Sequence, residues 1–289
     1  MPLVGLRWGT EKRLEFIDLR LFWDGVVNRQ ELAGTFGISL QQASADFTRY
    51  LEIAPGNAVY YRAANGYVRT ESFQPRLTTP ESARHLAHLR LMAEGIVDAG
   101  FTGLGQVPPF DVVPGPARQI DPLVLRGILD AIRGQQEIEI TYQSMSRPEP
   151  DRRWIAPHAL AFDGFRWHAR ASSSRDGRFK DFVIARMSDP GTMRPAAADP
   201  AADEAWHVRV RTIIGPHPGL SAGQRKAVEA DYGMTGGVSV IDVRASFLWY
   251  FLKRFGIEGD AAAKPPQDQH IVLLNRDDVM TALSARQEA

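Results

Sequence analysis

Between Arg152 and Arg186 the chain reads RRWIAPHALAFDGFRWHARASSSRDGRFKDFVIAR, and no other stretch limits the possible folds as much. It carries eight Lys/Arg against Asp163, Asp176 and Asp181, a local excess of five positive charges in a chain of formal net charge zero. Phe165, Trp167 and Ala169 alternate with Arg166, His168 and Arg170, the period of two expected of a strand with one apolar and one cationic face. DGF at 163–165 and RDGRF at 175–179 read as tight turns on either side, because Asp-Gly accepts the positive φ angles that hairpins need. The second strand, DFVIAR, puts Phe182, Ile184 and Arg186 on one face. Arg and His side chains converging on a small sheet suit a phosphate or carboxylate, since each guanidinium offers a fixed fork of donors. The plain alternative is a solvated strand face whose charge discourages pairing between sheets.

Upstream, Thr10 to Trp23 predicts a helix with Thr10 as N-cap and Leu14, Ile17, Leu21 and Phe22 on one stripe. Asn28 caps a second helix, RQELAGTF, which Gly37 ends in the left-handed conformation. Ser39 then caps LQQASADFTRYL, with Leu40, Ala43, Phe47, Tyr50 and Leu51 on the buried stripe. Two short helices joined by F-G-I-S form a helix-turn-helix, and NAVYYRAANGYVRT adds two strands turning at Ala64, Asn65 and Gly66, a wing. The outward side chains are of types that hydrogen-bond base edges or phosphates in a major groove. They are Ser39, Gln41, Gln42, Ser44, Thr48 and Arg49 on the helix, with Arg62 and Asn65 on the wing. The alternative is a helical hairpin that serves packing alone, and nine Lys/Arg against eight Asp/Glu in residues 1–76 is a weak footprint for a DNA reader. A dimer offsets that weakness through effective concentration.

PESARHLAHLRLMAEGIVDAG is helical, with Leu86, Leu89, Met92 and Ile96 in a stripe and Gly100 near its end. His85 and His88 have a metal-like spacing but no third ligand nearby, so they read as histidines of a solvated helix. FTGLGQVPPFDVVPGPARQI is Gly- and Pro-rich and marks a boundary. Asp121 caps PLVLRGILDAIRGQ, with Pro122 at the first helical position and Gly134 at the end. EIEITYQS follows as a strand presenting Ile138, Ile140, Tyr142 and Ser144 on one side. MRPAAADPAADEA has the composition of a linker. From Trp206 the pattern runs strand, helix, strand, helix, strand, with a helical tail. Its second helix holds Phe247, Leu248, Trp249, Tyr250, Phe251 and Leu252 in succession, an all-round apolar surface that is either deep core or an interface. We expect Phe247, Trp249, Tyr250 and Phe251 to form a dimer interface.

The succession Tyr142-x-Ser144, Arg152 to Leu160 (RRWIAPHAL), Asp163 to Arg170 (DGFRWHAR) and Asp181 to Arg186 (DFVIAR) resembles the WYL domain of bacterial transcription regulators. Trp167, His168 and Ala169 stand where many members have Trp-Tyr-Leu, a form similar to regulators of phage-defence islands of the BREX and CBASS kinds. The resemblance implies an α+β, multi-domain chain. Residues 1–76 would be a winged helix-turn-helix, 77–120 a helical linker, 121–192 a ligand-sensing WYL domain with an Sm-like β-barrel, and 204–289 an α+β dimerisation extension. Tyr142, Ser144, His158, Arg166, His168, Arg170 and Arg186 would be its ligand-pocket residues. Read on their own, Tyr142 and Trp154 fit core aromatics equally well, His158 a core histidine and Arg186 a loop anchor.

The expected function is a homodimeric repressor on a palindromic double-stranded DNA operator of a phage-defence operon. An anionic nucleotide or single-stranded nucleic acid would release it. No cofactor or metal is expected, and zero cysteines exclude disulfides, thiolate metal sites and a Cys nucleophile. No run of about 18 apolar residues occurs and the N-terminus has no signal-like apolar region, so a soluble, cytoplasmic protein without a membrane partner is expected. A competing reading is a nucleic-acid-processing enzyme using His158 and His168 as acid and base beside the arginines. A third is an interaction protein whose cationic surface meets an acidic partner.

Overall fold

The computed structural model describes residues 8–98, 104–105, 107–116, 118–260 and 263–288. The chain divides into two compact units, 1–116 and 117–289, and the whole mixes helices and antiparallel sheets as an α+β protein.

The first unit comprises α1 (Trp8–Trp23), β1 (Val26–Val27), α2 (Arg29–Phe36), α3 (Leu40–Ile53), β2 (Ala58–Tyr61), β3 (Gly66–Arg69) and α4 (Ser82–Ala93). Local signals set the helix ends. The Asn28 side chain accepts the Glu31 N–H while the Glu31 carboxylate accepts the Asn28 N–H, and Gly37 closes α2 at φ 63°. Ser39 caps α3 by accepting the Gln42 N–H. Thr10 is not a cap, because α1 already runs from Trp8. Leu14, Ile17 and Leu21 pack against Leu32, Ala43, Phe47 and Tyr50. Leu40 leaves the expected stripe and is 53% exposed: in the first turn of α3 it lies beyond the core, beside Arg29 and Asn65. β2 and β3 form the wing around Asn65, which takes φ 46°, and β1 adds a strand too short for periodicity to reveal.

One buried carboxylate fastens this unit together. Asp18 accepts the Tyr50 hydroxyl at 2.7 Å and the N–H groups of Arg76, Leu77 and Thr78 at 2.9–3.1 Å. Burial pushes the Tyr50 phenol well above its ordinary value; the Asn57 amide works against that, and Asp18 adds to it. On α4 the expected stripe is only partly inside: Leu89 is buried while Leu86 and Ile96 are exposed. Gly100, the expected helix end, lies outside the described residues. His85 is not merely solvated but stacks on Trp23 at 4.2 Å.

The second unit begins with α5 (Pro122–Gly134), whose N-cap is Asp121 and whose left-handed closing residue is Gln135 at φ 49°. Then come β4 (Gln136–Tyr142), β5 (Asp151–Phe162), β6 (Trp167–Ser173), β7 (Phe179–Val183), β8 (Met187–Ser188) and β9 (Met193–Pro195). These pair antiparallel in the order β7-β6-β5-β4-β8, with β9 also on β4. Among the described residues no pairing joins β7 to β8 or β9, so the sheet is open rather than a closed barrel. Val124, Ile128 and Ala131 of α5 cover Ile138, Ile140, Ile155 and Phe182. Beyond a short α6 (Glu204–His207), β10 (Arg209–Pro216), α7 (Ala222–Asp231), β11 (Ser239–Arg244), α8 (Leu248–Phe255), β12 (Ile271–Leu273) and α9 (Arg276–Glu288) form a three-stranded sheet, β11-β10-β12, with its own core. Trp206 sits in α6 and not in the strand expected there, which starts at Arg209.

Candidate functional site

In the first unit α3 presents the expected reading face. Gln41, Gln42, Thr48 and Arg49 are exposed. Several of these polar groups are held within the helix. Ser44 Oγ donates to the Leu40 carbonyl, Thr48 Oγ1 to the Ser44 carbonyl, and Gln42 Nε2 to Asp46 at 3.1 Å. Asp46 is itself fixed by Arg13 at 2.6 Å, which ties α3 to α1. Arg62 and Asn65 are exposed at the wing turn, where Asn65 accepts the Tyr60 hydroxyl. The sequence reading missed Arg29. From the first turn of α2 its guanidinium lies over the Tyr60 ring at 5.7 Å and reaches Ser44 at 3.4 Å. Asn28, Arg29, Gln30, Leu40 and Asn65 line a shallow cleft of about 230 Å³ between the helix-turn-helix and the wing. An Arg beside a capped helix start was the available signal.

The cationic stretch of the second unit differs from its expected form. Phe165 and Trp167 are exposed at 66% and 47%, whereas His168 and Arg170 are 2% and 3% exposed. The face expected outside is inside, and it does not alternate with an exposed one: Ala169 and Ala171 are buried too, so from His168 onward β6 is covered on both faces. Three aspartates make this possible. Arg170 Nε and Nη2 donate to the two oxygens of Asp203 at 2.7 and 2.8 Å, and Nη1 donates to Asp181 at 3.1 Å. His158 Nε2 meets the same Asp203 at 2.9 Å, and His168 Nε2 meets Asp163 at 3.0 Å. Asp163 also accepts the N–H groups of Phe165 and Arg166, so the turn that feeds β6 is built around it.

Asp203, Asp163 and Arg170 stay charged. Burial alone would raise the Asp203 carboxyl, but hydrogen bonds from Arg170 and then His158 outweigh it and hold it well below the usual carboxylate range. Burial also opposes ionisation of Asp163, and His168 with the two backbone N–H groups overcomes it. For Arg170 burial works against the cation, and Asp203 and Asp181 leave it more firmly protonated than a free guanidinium.

The other expected pocket residues scatter. Tyr142 is core: its hydroxyl accepts the Val183 N–H, and Arg153 lies over its ring. Ser144 falls beyond β4 in a turn, bonded to Ser146. Arg166 is partly exposed and 3.4 Å from Asp163. Arg186 closes a 3₁₀ turn after β7 rather than extending that strand. Asp203 was the missed residue. It lies in the stretch read as a linker, yet it is 2% exposed, and its signature as the N-cap of α6 was legible in DEAW.

The aromatic helix α8 turns mainly inward within the chain. Leu248 and Leu252 are buried, Phe247 packs edge-on to Trp206, and the Tyr250 hydroxyl lies 3.3 Å from Asp181 with its ring against His168. Of the four residues expected at a dimer interface, Trp249 is the most outward, at 40% exposure. Among the described residues no group of three or more His, Cys, Asp or Glu could hold a metal, and no helix is long and apolar enough to cross a membrane.

Residues 9–91 match the BrxR transcriptional regulator winged helix-turn-helix domain, 123–191 the WYL domain, and 209–279 the BrxR transcriptional regulator C-terminal dimerization domain. The DNA-binding transcriptional repressor CapW of Stenotrophomonas maltophilia is 39% identical over 275 residues, spanning 95% of this chain and 92% of that protein. CapW of Escherichia coli (strain KTE188) is 36% identical over 280 residues, covering 96% and 93%. CapW of Pseudomonas aeruginosa is 39% identical over 279 residues, covering 95% and 92%.

Proposed function

Since the chain belongs to the family of CapW DNA-binding transcriptional repressors, with BrxR-type winged-helix and dimerization domains flanking a WYL domain, we propose that it is a cytoplasmic homodimeric repressor of a phage-defence operon. An anionic nucleotide or single-stranded nucleic acid engaging the WYL-containing unit releases it from DNA. The observation that carries the DNA-binding part is the face of α3. Gln41 and Arg49 project from a helix whose opposite side is fixed by Ala43, Phe47 and Tyr50, with the wing beside it. Such a helix enters the major groove, and a dimer places two of them about 34–36 Å apart on a palindrome. Arg29, Arg62 and Asn65 are positioned for the flanking phosphates, and Trp249 for the dimer contact.

For the effector, Arg166, Ser144 and Arg186 are the members of the expected set that keep some exposure, while Tyr142, His168, Arg170 and the His158 side chain are buried. The enzyme reading requires two imidazoles turned toward one substrate. His158 Nε2 and His168 Nε2 instead face two different aspartates, which favours the regulator. Fluorescence anisotropy with the upstream DNA and a scrambled duplex, across a salt series, tests the proposal. A preference of about a thousandfold or more for the native sequence is expected of a specific regulator. Equal, weak and strongly salt-dependent binding to both would overturn it.

A further inference from the structure

The arginines of the WYL strands are largely consumed by the fold. Arg152, Arg153, Arg166, Arg170 and Arg175 are each held by a carboxylate. Among the described residues three other arginines are not. Arg209, Arg244 and Arg254 line a cavity of about 340 Å³ between the β5–β6 turn and the β10–β11–α8 face. Arg209 donates to the Asp242 carbonyl and Arg244 to the Trp206 carbonyl, acceptors that orient a guanidinium without cancelling its charge. Arg254 has no carboxylate within ion-pair range among the described residues, and it lies against Gly164 so closely that a Cβ there would stand 2.7 Å from its Nη1. Gly164, at φ 98°, makes that approach possible. Two acids also line the cavity. Asp163 is engaged by His168, Arg166 and two backbone N–H groups, and Asp242 is 3.5 Å from Arg211.

Aromatic rings complete the lining. Phe162 and Phe255 sit at an exposed rim, Phe251 pairs with Phe255 at 5.0 Å, and Tyr250 forms part of the wall. The volume lies at the lower end of the range of about 300–1,000 Å³ that small-molecule sites occupy. Uncompensated guanidinium groups suit a phosphate, and rings beside them suit the face of a base. We propose that this cleft is the effector site and that it takes one nucleotide unit, with Arg254 and its neighbours on the phosphate and Phe251 and Phe255 on the base. This rests on the reading of the chain as a nucleotide-responsive repressor and gives that response a location apart from the expected WYL residues. Tyr250 connects the site to the buried charges: an occupant of the cleft presses on the side chain whose hydroxyl faces Asp181 and whose ring packs on His168.

The shared chemistry could come from a free mononucleotide or from a single-stranded end. Isothermal titration of the full-length protein with adenosine monophosphate, with a thymidine pentanucleotide and with ribose 5-phosphate distinguishes them. The same probes are added to the protein–operator complex and followed by anisotropy. We expect one nucleobase-bearing probe to bind and release the operator, and ribose 5-phosphate to bind more weakly. Arg254→Ala and Phe255→Ala, both at exposed positions, should each weaken binding about tenfold, the first through loss of one charged donor and the second through loss of base stacking. Arg178→Ala, on an exposed turn away from the cleft, should not. Binding and release that survive both cleft variants, or that fall instead in Arg166→Ala, overturn the site and leave the nucleotide-responsive reading standing. A wild-type protein that binds none of the probes overturns both. A change in oligomeric state in the cleft variants, with ligand affinity unaltered, shows that a second copy covers the cleft and overturns the site.

Discussion

Replacing Asp203 with Ala removes the acceptor for two guanidinium nitrogens of Arg170, for His158 Nε2 and for the Trp206 N–H. Arg170 is 3% exposed and keeps only Asp181 at 3.1 Å. Breaking a buried pair by deleting one partner costs about 3–5 kcal/mol, because a charge is left without compensation. A unit of the size of 117–289 loses about 2–4 °C of Tm per kcal/mol, so a fall of about 6–20 °C is expected. Thermal unfolding read by tryptophan fluorescence and by circular dichroism measures it, since Trp206 lies 5.6 Å from the His158 ring. The pH dependence has a definite sign. A carboxylate whose folded pKa is depressed, as at Asp203, contributes stability that is complete above its unfolded value of about 3.9 and is lost as pH falls toward the folded value. The Tm gap between wild type and Asp203→Asn should therefore be full at neutral pH and narrow on acidification below about pH 4. Arg170→Met combined with Asp203→Ala should be less damaging than the sum of the two single changes. An Asp203→Ala protein that melts within a degree or two of wild type, or strict additivity in the double variant, would refute the assignment of Asp203 as the partner that makes a buried Arg170 tolerable.

Arg49→Ala should weaken operator binding about equally for all sequences and reduce the log-log salt slope by about one, as measured by anisotropy. Gln41→Ala should instead narrow the gap between operator and scrambled duplex by about 1–3 kcal/mol. Asp18→Ala leaves three partly buried backbone N–H groups and the buried Tyr50 hydroxyl without this acceptor, and urea denaturation should show the first unit destabilised by about 1–3 kcal/mol or more, the cost of leaving a buried group unsatisfied. Trp249→Glu should shift sedimentation toward monomer while leaving circular dichroism unchanged; Tyr250→Ala, which removes an intrachain contact, should lower Tm instead.

The parts of the fold that local rules decide were legible. Asn28, Gly37, Ser39, Asp121 with Pro122, and the two Asp-Gly turns each appear where the sequence placed them, because each acts over a few residues. On β6 alternation picked out a cationic face and took it to be solvated, whereas both faces are buried from His168 to Ser173. Period two fixes relative direction only. Whether a face of Arg and His can be buried depends on carboxylates that reach it from elsewhere, and Asp203 is 33 residues from Arg170. The Ala- and Pro-rich composition around Asp203 concealed this, since composition reports average flexibility and not the single side chain that docks. The open sheet was out of reach for a similar reason: closure depends on whether β7 meets β8 or β9, which no short-range pattern encodes.

The buried charges also bear on how a ligand can act. An anion that competed for Arg170 and His158 would first have to displace Asp203, so its binding would be reduced by the several kcal/mol that the internal carboxylate already supplies. It would also have to enter a face of β6 that is almost fully covered. Arg209, Arg244 and Arg254 impose no such competition, because Arg209 and Arg244 donate to carbonyls and Arg254 has no carboxylate within ion-pair range among the described residues. In the proposed site a phosphate would give these guanidinium groups an acceptor beside the already engaged Asp163 and Asp242, and would leave the Asp203 pairs intact. Affinity is then obtained without unfolding anything. Release of the operator still requires that the occupied cleft favour a different arrangement of the dimer, since a ligand that binds both states equally shifts neither. Tyr250 is the side chain through which such a preference can arise, because it borders the cleft on one side and contacts Asp181 and His168 on the other. A Tyr250→Phe protein that binds the nucleotide normally and yet keeps its operator would separate occupancy from response. Normal release by the same variant would mean that the hydroxyl to Asp181 is not the link.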